Sequence, residues 1–187
     1  AGLIVNLARA YHHVGRNDEA ETWFHHAQDM LDKADPLNAD ILVGLGRIAK
    51  AERGDVQMAL GHFSAAQTLY PSTPAYFDAL VGRADCEAHL GAHQEAIDHF
   101  GQAVGYLLAQ LPLRADRVER MTNIVRSHYD LHVDNQQHDQ ALDYLSLLVP
   151  LYPDQMPAPV LLDFAVSHER LARQRLEEAD AWLNTKP

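Results

Sequence analysis

The chain has 187 residues, 47% of them apolar, with a formal net charge of −11 and a pI near 5.4. That apolar content supports a sizeable core and excludes general disorder, while the acidic field repels phosphate backbones and disfavours broad nucleic-acid binding. A single cysteine, Cys86, excludes an internal disulfide and a multi-cysteine zinc site, and no apolar run reaches the roughly 18–20 residues of a membrane span.

Ala, Leu, Glu, Gln and Arg dominate long stretches, which favours helix throughout. The pattern Ile4-x₂-Leu7-Ala8-x₂-Tyr11 predicts a first amphipathic helix at the start of the chain. It lacks a starting Met or a cap, so a segment of a longer protein is expected. Gly15-Arg-Asn-Asp18 reads as a turn, followed by a second helix carrying Ala20-x₃-Phe24-x₂-Ala27. Asp35-Pro36 starts a third helix with Leu45-Gly46 on it, Gly54-Asp55 turns the chain, and Ala59-x₃-Phe63-x₂-Ala66 repeats the signature. Pro71 stops that helix, and Thr73-Pro74 precedes the next, which carries Val81-Gly82. After the turn Gly91-Ala-His93 comes Ala96-x₃-Phe100-x₂-Ala103, on a helix predicted to extend from Gln94 to Leu111. A long helix from about Arg114 to Asp134 leads through Asp134-Asn-Gln-Gln137 to a weaker fourth copy, Ala141-x₃-Leu145-x₂-Leu148. Tyr152-Pro153 closes it. Pro157-Ala-Pro159 opens a last segment, Val160 to Leu183, read as a single helix or a pair with a charged outer face and Trp182 packed inward.

The leading alanines recur at spacings of 39, 37 and 45 residues. Small, large and small residues at i, i+4 and i+7 share one helix stripe, where a neighbouring helix can approach closely beside an aromatic. These motifs, the turns before them and the closing prolines resemble the tetratricopeptide repeat over roughly residues 2–155. The units are longer than the usual ~34 residues, and extended second helices are expected to absorb the excess. The resemblance implies an all-α, right-handed α-solenoid of antiparallel helix pairs. The expected array covers residues 1–157 in four pairs (about 1–35, 36–72, 73–112 and 113–157), with a capping segment over 158–187.

Twelve histidines raise the question of a metal. His128 and His132 stand at i, i+4, a spacing that can put two imidazoles on one ion, with Asp139 or His138 nearby. The same stripe holds Val118, Met121 and Val125 and is the one expected to pack, so ordinary packing is the expected role. Cys86, among Ala84, Ala88 and Leu90, reads as a small buried hydrophobe. No phosphate loop, dinucleotide fingerprint or nucleophile elbow is present, and neither catalysis nor a cofactor is expected.

On the first helices an Arg follows each small packing residue: Ala8-Arg9, Gly46-Arg47 and Gly82-Arg83. The resemblance implies that first helices line a groove. Arg9, Arg47 and Arg83, with Asn6, His13 and Lys50, form the expected site for an acidic peptide. Salt bridges from these arginines to Asp40, Asp78 or Asp85 on adjacent helices are the competing expectation. The Lys/Asn clamp of chaperone-tail binders is not met, since Val5 and Val43 fall where a clamp lysine is expected. The function expected is a protein-interaction scaffold, monomeric or weakly self-associating. The alternative is a substrate-positioning or regulatory arm of a larger enzyme.

Overall fold

A computed structural model describes residues 1–110, 114–152 and 156–184. Among them the chain is helical throughout, and it divides into two compact units, residues 1–106 and 107–187.

The first unit contains α1 (Gly2–His13), α2 (Asn17–Asp29), α3 (Leu37–Arg53), α4 (Val56–Leu69), α5 (Tyr76–His89) and most of α6 (His93–Leu108). The turns inside the pairs need a left-handed residue, and Gly15, Gly54 and Gly91 supply it at φ 76°, 60° and 82°. Asp55 then caps α4, its carboxylate accepting from the Met58 N–H at 2.8 Å.

From α1 to α5 each helix packs on its neighbour in sequence, and the first helix α3 also touches both α1 and α5. Helix α3 serves two cores. Its Ile41, Leu45 and Ile48 join Val5, Ala8, Ala20, Phe24 and Ala27, whereas Ala39, Val43 and Ala49 join Ala59, Phe63, Ala66, Ala79 and Cys86. The signature residues are therefore the interior. In every copy the small, large and small positions are at most 2% exposed.

The aromatics sit where the facing helix has no side chain. A Cβ on Gly44 would lie 2.3–2.9 Å from the Phe24 ring, and one on Gly82 would lie 2.5–2.6 Å from the Phe63 ring. Close approach of α3 and α5 to the preceding second helices depends on those glycines.

The second unit holds α7 (Ala115–Asp134), α8 (His138–Ser146), a 3₁₀ turn (Val149–Leu151) and α9 (Ala158–Asn184). Here Gln136 takes the left-handed position at φ 60° that glycine fills in the earlier turns. The Tyr129 hydroxyl donates to the Asp163 carbonyl at 3.0 Å and accepts from Ser167 Oγ at 2.9 Å, while Arg126 pairs with Asp163 at 2.7 Å. These bonds join α7 to the N-terminal half of α9.

Two expectations are corrected. The excess repeat length lies mainly in the first helices, α3 with 17 residues and α7 with 20, and in the connections 30–36 and 70–75. Helix α6 ends at Leu108, and the expected end at Leu111 lies outside the described residues. The last segment is one long helix whose buried contacts end at Ser167, so Trp182 is 57% exposed instead of packed inward. A lone helix can bury only the stretch that faces α7 and α8.

Candidate functional site

The first helices of the 1–106 unit are joined by ion pairs. Arg9 on α1 pairs with Asp40 on α3; Arg47, one heptad after Asp40, reaches Asp78 on α5 at 3.3 Å. Lys50 pairs with Asp85, itself one heptad after Asp78. An i, i+7 step returns to the same helix face, so each first helix presents a row of charge to the next.

Between α1 and α3 lies a cavity of about 190 Å³. Arg9, His12 and His13 line it from α1, and Asp40, Val43, Gly44 and Arg47 from α3, with the buried Phe24 ring as its apolar wall. His12 is held in place by Asn17, Nδ1 to Oδ1 at 2.6 Å.

The structure thus brings Arg9, His13 and Arg47 together, with Lys50 one turn further along α3. Asn6 is exposed on α1, outside that lining. Arg83 points elsewhere. Its guanidinium donates to Gln67 of α4 at 2.7 Å and to Glu87 at 2.8 Å, and Glu87 also meets His99 of α6 at 2.7 Å. Arg83 therefore braces second helices and does not share the Arg9–Arg47 face. His62, the repeat equivalent of His99, has its pKa lowered by burial first and His25 next, against an opposing pull from Glu21.

Asp40 is a carboxylate whose ion pair does not offset its burial. Its pKa is raised, first by desolvation and only then adjusted by Arg9, which lowers it, and Asp78, which raises it. A raised carboxyl pKa means that the native state binds the extra proton, so this group's contribution to stability falls as pH rises through the range above 3.8. Asp40→Asn is expected to leave the melting temperature at pH 7 unchanged or higher, because the half-exposed Arg9 can hydrate. The advantage should shrink as pH falls below the ordinary carboxylate range. Thermal melts of both proteins at neutral and acid pH check this, and a loss of more than ~1 kcal/mol at pH 7 would contradict it.

Of the other candidates, His128, His132 and Cys86 are buried, whereas Asp139 is exposed. His128 and His132 are each 1% exposed and stack on the ring of Tyr144, with centroids 5.5 and 5.1 Å away. His132 Nδ1 also meets Gln137 Oε1 at 2.9 Å, and Asp139 is exposed and paired with Arg175 at 3.2 Å. Cys86 is buried, and desolvation pushes its thiol up to about 12, far from a reactive thiolate.

Helix pairs stacked through a small–large–small interior define a repeat protein of the α-solenoid class. A model of the tetratricopeptide-repeat family matches residues 48–112, about a third of the chain. Members of that family are typically non-catalytic and mediate protein–protein interactions. Two crystal structures of the nearly identical TPR-like repeats of a Podosopora anserina protein described as a kinesin light chain share the fold. They have TM-scores of 0.64 and 0.63 at 17% and 19% identity, and cover 97% of this chain and 90% of theirs. A rat (Rattus norvegicus) protein, the uncharacterized protein C8orf76 homolog, is 28% identical over 103 residues, or 54% of this chain and 25% of the relative. The chain matches about a quarter of that curated relative's length. No described helix is long and apolar enough to cross a membrane.

Proposed function

We propose that the chain is a non-catalytic interaction scaffold that holds an acidic segment of a protein partner against the first-helix face of residues 1–106. The observation that supports this reading is the α1–α3 cavity, where two arginines and two histidines surround a single carboxylate beside an apolar wall. A glutamate side chain suits such a space. Its methylenes would lie on Phe24 and Val43, and its carboxylate would exchange with Asp40 and Asp78 for the guanidinium groups of Arg9 and Arg47. Planar guanidinium is suited to that exchange because it bonds carboxylate bidentately. Lys50 and Asn6 would flank the bound segment, whereas Arg83, braced by Gln67 and Glu87, takes no part. A helix-pair scaffold already formed has little ordering to lose on binding.

The test is fluorescence polarisation of a labelled decapeptide with alternating glutamates, against a lysine counterpart. The glutamate peptide should bind selectively, and Arg47→Glu should weaken it by about tenfold or more. Equal binding of both peptides, or unchanged affinity in Arg47→Glu, would sink the reading.

A further inference from the structure

The small–large–small signature occurs once more than the packed repeats require. Helix α9 carries Ala172-Arg-Gln-Arg-Leu176-Glu-Glu-Ala179, the same spacing as Ala141-x₃-Leu145-x₂-Leu148 and its three predecessors. In those four copies the three positions are buried against a neighbouring helix. In α9 all three are exposed, Leu176 at 65%. The stretch is a helix-packing face without a helix on it among the described residues.

Its charges say what would cover it. Arg170, Arg173 and Arg175 precede Leu176, and Glu177, Glu178 and Asp180 follow it. Such a segment is complementary to itself run backwards. Laid antiparallel on a second copy about a twofold axis, Leu176 of each helix meets Ala179 of the other, a large residue over a small one. That is the arrangement the chain already uses where Phe24 lies over Gly44. In this register Arg173 stands across from Asp180 of the second copy, twice by symmetry, because both flank the apolar stripe on the same side. Arg173 is engaged at present with Glu169 at 2.6 Å, an exposed i, i+4 pair that exchanges at little cost. A basic or an acidic foreign helix would match only one half of the segment. A second copy matches both.

We propose that α9, from Ala172 to Asp180, is a self-association surface through which two copies of this chain pair antiparallel. This surface is separate from the α1–α3 cavity, and the two readings stand or fall independently. Sedimentation velocity on the whole chain, from roughly 1 to 500 μM, should show a monomer giving way to a dimer. Leu176→Glu and Arg173→Asp should each raise the dissociation constant by about tenfold or more, and Arg173→Asp with Asp180→Arg should restore it to within about threefold. Circular dichroism of Leu176→Glu should match the parent, since the side chain is exposed in the monomer. A monomer at every concentration would overturn the proposal. So would a dimer indifferent to Leu176→Glu, or a charge reversal that the swap does not rescue.

Discussion

Gly44→Ala and Gly82→Ala are expected to destabilise the protein by about 1–3 kcal/mol, whereas Gly61→Ala and Gly105→Ala should stabilise it by about 0.5–1 kcal/mol. All four glycines lie within helices, where alanine is the better former, so propensity alone assigns one sign to all. The neighbours decide otherwise. Nothing stands within 4 Å of a Cβ built at Gly61 or Gly105, while the Phe24 and Phe63 rings already occupy the space at Gly44 and Gly82. Those rings are fully buried and cannot swing aside. Phe63→Ala should itself cost about 3–5 kcal/mol. In that background Gly82→Ala should lose most of its penalty, because the clash and the cavity cancel. Urea unfolding of the two single variants and the double variant measures that coupling. Additive losses would mean that the ring and the glycine do not share the space.

Much of this architecture was legible in the amino-acid sequence because it rests on residues with one job. The alanines and aromatics of the signature can only pack, and the three turn glycines can only turn. The fourth turn was harder to read, since Gln136 adopts a left-handed conformation that its side chain does not advertise. The ion pairs of Arg9 with Asp40 and Arg47 with Asp78 were legible as the competing expectation, but the path of Arg83 was not. Gly46-Arg47 and Gly82-Arg83 look alike as dipeptides, yet Arg47 reaches forward to Asp78 while Arg83 turns to Gln67 and Glu87. Which of two faces a long side chain takes depends on the acceptors across the interface, and these come from distant segments. The α1–α3 cavity was hidden for the same reason. His12 and Phe24 join Arg9 and Arg47 there only because α1, α2 and α3 meet. Trp182 misled because a large aromatic in a capping helix suggests burial, but near the end of α9 it is 57% exposed.

Tyr144→Ala should cost about 3–5 kcal/mol and should act on the second unit first. The Tyr144 ring is fully buried on α8 and lies against both imidazoles of the i, i+4 pair, tilted 28° from His128 and 21° from His132. Three stacked rings hold α7 to α8 at a place where the fourth signature has exchanged Phe for the smaller Leu145, so they supply the aromatic contact that the repeat has lost. Stacking of this kind adds about 0.5–1.5 kcal/mol beyond the area buried. Tyr144→Leu, which fills part of the volume without the stack, should therefore fall between the parent and the alanine variant. A repeat array loses stability locally before it fails as a whole, because each element contacts only its neighbours. Hydrogen exchange of the alanine variant should show the amides of residues 121–132 and 141–146 losing protection while those of α1 to α4 keep theirs. Uniform loss across the chain would mean that the two units unfold as one. Unchanged protection in α7 would mean that the stacked histidines are spectators of packing supplied by Met121 and Val125.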